Sequence, residues 1–197
     1  MNLKINWLPA LVIGALLWNC SGPTVEYKRL VRKELASGER YDSLFLGTYF
    51  GMDSKDFYKH CWELNHQGLI KEGPGNTTVQ YYLPDQEHAI RMLFYPKFYN
   101  NVIYEVPVEF TYDAWAPWNK EFFSDKLLVE VIEVLEGWYG KGFMEIEYPE
   151  RGSVWVKVDG NRRISLWCQD DQKVKALLTD MSVEEARKKE DKGLSSK

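Results

Sequence analysis

The chain lacks an apolar run long enough to cross a bilayer. Its longest such stretch, Ile5 to Trp18, has 14 residues and is interrupted by Asn6, Pro9 and Gly14. As a helix it would reach roughly 21 Å, short of a bilayer core of about 30 Å. The small residues in an A-x-A-like pattern that an ordinary secretory cut uses are missing before Cys20. Cysteine and histidine are scarce, three of each. There is no C-x-x-C pair, no G-x-S-x-G elbow and no glycine-rich phosphate loop. Dithiol redox, serine-hydrolase and phosphate-loop chemistry therefore have no sequence signal here. No basic stripe exists either, and the net charge is −4. Lys28-Arg29 and Arg32-Lys33 have Glu26 and Glu34 beside them, which reads as a solvated helix face rather than a nucleic-acid surface.

What is present starts at the head. Lys4 gives a positive end, the apolar run follows, and Leu17-Trp18-Asn19-Cys20 leads into the turn-prone Ser21-Gly22-Pro23. This resembles a bacterial lipobox, which implies export, cleavage before Cys20 and acylation of that cysteine with palmitate-type chains. More than one acyl chain gives stable rather than reversible anchoring. Trp18 and Asn19 stand where small residues are usual. A plain secretory signal, or a buried or membrane-inserted helix, is the alternative. Ser21 rather than Asp follows Cys20, and by resemblance to lipoprotein sorting this implies an outer-membrane anchor facing the periplasm.

The chain from Cys20 onward has 178 residues, enough for one domain or two small ones. Twelve Tyr, nine Phe and eight Trp predict a well-packed body, because each brings a large apolar area to a core or a groove. Residues 1–19 read as signal peptide and 20–43 as tether and N-terminal helix. Residues 44–114 read as a first helix-plus-strands unit, 120–181 as a second, and 182–197 as a charged tail. In the first unit Asp53 caps a helix whose Phe57, Cys61 and Leu64 share one face. Strands follow over 77–83, 89–95 and 102–112, with Pro107 predicting an edge or a bulge. In the second unit a helix from Ser124 carries Leu127, Leu128, Val131, Ile132, Leu135 and Trp138 to Gly140. Strands follow over 143–148, 154–158, 164–168 and 174–179. Asp159-Gly160-Asn161 predicts a hairpin turn and Ser182-x-x-Glu185 a capping box. The run after it has little apolar face, which predicts a frayed or disordered tail.

The expected class is α+β, with helices packed on antiparallel sheet. A shift of 74 residues lays Phe57, Cys61 and Leu64 on Val131, Leu135 and Trp138. Two tandem helix-plus-strands units follow from that match, or the match is chance. Phe50-Gly51-Met52-Asp53-Ser54-Lys55-Asp56, leading into a helix that closes with Leu-x-x-x-Gly, resembles the helix-opening motif of the BamE/SmpA-like envelope lipoproteins. That resemblance covers residues 50–68 and the lipoprotein head. It implies a small anchored α+β module acting as an accessory, non-catalytic part of outer-membrane assembly. The beta-lactamase inhibitor proteins repeat a similar unit in tandem. No functional residue carries over.

The candidate binding residues are Trp115 and Trp118 with Tyr112 beside them, whose flat faces suit a sugar ring or a protein partner, against a role plugging the gap between the two halves. Arg162 and Arg163, at the Asp159 hairpin, could grip a carboxylate or phosphate, or form an ordinary hairpin tip. His60 and His66 are six apart, not the i, i+4 spacing of a zinc-binding helix. Glu145 and Glu147 share a strand face and would serve an envelope hydrolase only if a second carboxylate faced them across a cleft. Cys61 and Cys168 could pair in an oxidising periplasm or remain buried thiols. The expectation is a non-enzymatic, membrane-anchored envelope lipoprotein that binds a protein partner, with a glycan- or peptidoglycan-binding module as the alternative. It implies no metal, no cofactor and no nucleic acid. Radiolabelled palmitate is expected to label the wild-type chain and to leave a Cys20→Ala variant unlabelled; equal labelling would remove the anchor.

Overall fold

A computed structural model describes residues 22–149 and 151–194, the side chains of residues 189 and 191–194 excepted. The leader and Cys20 lie outside the described residues. The element order is α1 (Pro23–Ser37), α2 (Ser54–His66), β1 (Lys71–Glu72), β2 (Val79–Tyr82), β3 (Ile90–Phe94), β4 (Lys97–Tyr99), β5 (Val102–Tyr112), α3 (Ser124–Tyr139), β6 (Met144–Tyr148), β7 (Gly152–Asp159), β8 (Arg162–Cys168), β9 (Val174–Asp180) and α4 (Met181–Leu194). No described helix is long and apolar enough to cross a membrane.

All nine strands join one antiparallel sheet in the order β1-β2-β3-β5-β9-β8-β7-β6, with β4 beside the start of β5. This is an α+β fold. The order is the same from either edge toward the middle: a helix, then an antiparallel meander whose last strand meets the last strand of the other half. The 74-residue shift recurs in the strand register. Tyr81 faces Met92 in the first half, and Trp155 faces Leu166, 74 residues later, in the second. Chance similarity of sequence does not reproduce a ladder register. The halves differ where Ile90 faces Tyr112 but Ile164 faces Leu178. The extra length in the first half is spent on the β4 excursion. Tyr112 and Leu178 thus hold equivalent places, and so do Glu109 and Lys175, which face each other across the β5–β9 pair.

Pro107 corrects the edge-strand expectation. It lies in the central strand β5, opposite Leu177. Pairing to β3 stops at Val108 and pairing to β4 stops at Glu105. The proline, which cannot donate to a ladder, therefore falls in a break between two neighbours.

Strand alternation sends one set of side chains to the helices. Phe57 of α2 and Leu127, Val131 and Leu135 of α3 are buried with Ile90, Met92, Val108, Phe110, Ile164, Leu166, Ala176 and Leu178 in one continuous cluster. Each such side chain stabilises by about 1.5–3 kcal/mol. Asp53 caps α2 by accepting from the Lys55 N–H at 2.8 Å. On the opposite face Tyr27 of α1 packs on Ile146, Val154 and Val156.

Two further expectations are revised. The α4 cap is Asp180, whose Oδ1 accepts from the Ser182 N–H at 3.0 Å, because Asp180 is the buried end of β9. The tail run expected to fray is helical through Leu194, held by Glu184 to Arg163 and by Arg187 to the Tyr104 hydroxyl. Leu166, fully buried at the centre of β8, is the test of the shared core. Leu166→Ala should cost about 2–5 kcal/mol in chemical denaturation, as one cooperative transition, since both halves lean on the same cluster.

Candidate binding surfaces

The sequence-derived candidates do not converge on one surface. Tyr112 is buried, and its hydroxyl donates to Glu130 Oε1 at 2.6 Å. Trp115 packs against the core while its Nε1–H donates to the Asp171 carbonyl at 3.2 Å. Trp118 alone stands in solvent, 85 % exposed. Arg162 and Arg163, as neighbours on β8, point to opposite faces. Arg162 is only 6 % exposed; it pairs with Asp159 at 2.9 Å, donates to the Ser43 carbonyl at 2.8 Å and lies over the Tyr139 ring at 4.5 Å. Arg163 pairs with Glu184 at 3.2 Å. Both guanidinium groups have internal partners, so the hairpin is a structural joint rather than an open anion grip. The Asp159–Arg162 pair closes around Gly160 and Asn161, and Gly160 has φ +51° with the Glu39 backbone pressed against it, leaving no room for a Cβ.

The histidines and thiols are also accounted for. His60 Nε2 bonds the Leu46 carbonyl at 2.6 Å, so it is a half-buried loop clamp and not the exposed helix histidine expected. His88 meets Phe122 edge-on at 4.9 Å. Among the described residues no group of three or more His, Cys, Asp or Glu could hold a metal. Cys61 and Cys168 are free thiols. Burial pushes Cys61 up to about 11; burial also raises Cys168, against a hydrogen bond to Ser124 that works the other way. Glu145 and Glu147 are exposed on the edge strand β6, with Ser153 bonded to Glu145.

Two surfaces remain available. The first is the sheet face away from α2 and α3. On its second-half side α1 covers Ile146, Val154 and Val156, and α4 brings Glu184 over Arg163. Burial opposes ionisation of Glu184, but Lys188 and Arg163 outweigh it and hold the carboxyl below its ordinary value. The stability this adds is present above the ordinary carboxylate range and is lost as pH falls through the lowered value. Over β2, β3, β5 and β9 nothing covers the face. One row crosses it as Leu93, Glu109, Lys175 and Trp167. The next row runs Pro107, Leu177 and Ser165. Leu93, Pro107, Trp167 and Leu177 are each partly exposed around a groove of about 360 Å³. Arg151 lies 4.2 Å over the Trp167 ring, and Lys173 joins Lys175 on Glu109 at 3.4 Å.

The second surface lies beside α2. Trp62 is 69 % exposed, its ring parallel to His66 at 5.7 Å. Tyr58 and Tyr95 share a hydroxyl hydrogen bond of 2.6 Å. Between them and the β1–β2 hairpin runs a cleft of about 340 Å³, walled by Asn65, Lys71, Glu72, Asn76 and Thr77. Sequence reading missed this site, although its signal was present. Tyr58, Trp62 and His66 are spaced i, i+4, i+8, a second stripe beside the core stripe of the same helix.

No protein family, no curated protein and no solved structure matches the chain. With the Cys61 thiol moved to about 11, about 100-fold less thiolate forms than at an ordinary thiol near neutrality. In a Cys20→Ala protein, alkylation of Cys61 should be slow in the folded state and fast in denaturant; rapid labelling of the native protein would contradict the burial.

Proposed function

We propose that this protein is a non-enzymatic lipoprotein of the cell envelope, anchored through Cys20, that binds a protein partner on the open half of its sheet. One observation carries the reading: two apolar-centred rows cross β3, β5 and β9 with no helix over them, while the corresponding face of the second half is covered. A flat surface with apolar centres and a charged pair at its middle matches the core-and-rim anatomy of protein interfaces. Trp167, with Arg151 stacked on it, is the hot-spot candidate. The motif resemblance of residues 50–68 to accessory envelope lipoproteins agrees with this role, and so does an outer-membrane address facing the periplasm.

A second reading takes a glycan as ligand, in the Trp62 cleft instead of the Trp115/Trp118 loop. Trp62 offers an exposed ring face, and Asn65, Asn76 and Thr77 offer neutral hydrogen-bonding groups.

One pair of variants separates the two. Leu177→Asp places a charge in the middle of the open face, and Trp62→Ala empties the cleft. In envelope cross-linking and purified binding, the first should weaken partner capture tenfold or more, about 1.4 kcal/mol, with an unchanged melting temperature. The second should leave capture alone. Loss with Trp62→Ala instead, together with tryptophan quenching by peptidoglycan fragments, favours the glycan.

A further inference from the structure

The direction of α1 fixes which end of the sheet faces the anchor. Tyr27 packs on Ile146, Val154 and Val156, and further along the helix Glu34 Oε2 accepts from the Gly160 N–H at 3.0 Å. The helix therefore runs from the β6–β7 turn toward the β7–β8 turn, and Gly22 lies at the β6–β7 end. Antiparallel order places the β8–β9 turn, the end of β5 and the start of β3 at that same end. The segment joining β5 to α3 is tied there, because the Trp115 Nε1–H and the Ser124 N–H both donate to the Asp171 carbonyl.

That segment holds a tight turn, with the Asn119 N–H on the Ala116 carbonyl at 2.9 Å and Trp118 at its tip. Among the described residues no large apolar side chain is more exposed than Trp118. Tyr148, also exposed, stands at this end under the Arg151 guanidinium. The tether is short. Only Ser21 separates Cys20 from Gly22, and a residue spans at most about 3.6 Å. An acylated Cys20 would hold this end of the body within about 10 Å of the headgroups.

Resting on the anchor proposed above, we infer that this end of the sheet lies against the bilayer and that Trp118 sits in the headgroup region as a second point of attachment. Tryptophan suits that boundary because its ring is apolar and its N–H polar. The charges around the turn are of both signs, Lys120, Lys126 and Lys173 beside Glu121, Asp125 and Asp171. The surface recognised is therefore a zwitterionic phospholipid interface, with no demand for anionic lipid. The contact also fixes posture: it would hold the strands steep to the membrane and turn the open face sideways, reachable by a partner on the same surface.

The test uses the full-length lipidated protein, purified from membranes and reconstituted into phosphatidylcholine vesicles with and without bromine high in the acyl chains. Bromine should quench a share of the wild-type emission close to that of one of the six tryptophans following Cys20. It should quench none of that share in Trp118→Phe, which floats with the vesicles equally well. Equal quenching in the two proteins, or none in either while both float, overturns the inference and leaves the anchor standing. Failure of the wild type to float overturns the anchor and this inference together.

Discussion

The pairing of β5 with β9 is the constraint on which the structure depends. Each half alone is a helix on a meander with one raw edge, and an unpaired edge offers its backbone groups to any passing strand. Joined at their last strands, the halves cancel those two edges. The Glu109–Lys175 ion pair marks the centre of that seam. It also lets Phe57 and Leu135, from different halves, belong to a single core. The break opposite Pro107 shows how strictly the seam is kept, since the interruption falls on the β3/β4 side and the ladder to β9 runs through it.

A second joint closes the opposite end of the sheet. Arg40 reaches Asp42 and the buried Asp180, Asn161 holds the Tyr41 N–H and Asp42, and Arg162 holds Asp159 and the Ser43 carbonyl. Removing one member of such a network strands the others in low dielectric. This explains why an arginine pair that looks like an anion grip in sequence is instead mortar for the 39–48 segment, which in turn delivers Leu44, Phe45 and Phe50 to the core.

The two faces of the sheet have unequal fates. One is sealed by α2 and α3. The other is covered only on the second-half side, by α1 and the start of α4. The uncovered half keeps partly exposed leucine, proline and tryptophan in rows that water does not favour. Duplication supplied two similar faces, and the flanking helices cover just one of them. The functional proposal lives in that asymmetry.

The sequence by itself determined the elements. Asp53, Gly140 and the Asp159-Gly160-Asn161 turn announced themselves because caps and turns are local chemistry. The 74-residue shift was legible because apolar periodicity survives divergence better than identity does. The aromatic stripe Tyr58, Trp62, His66 was equally readable and was passed over in favour of ligand spacing. What only the tertiary structure decided was partnership. Whether Trp115 faces a ligand or the core, whether Arg162 meets an anion or Asp159, and whether Pro107 edges a sheet or sits at its centre all depend on residues far away in the chain. Alternation says that two faces exist; packing alone says which of them is left open.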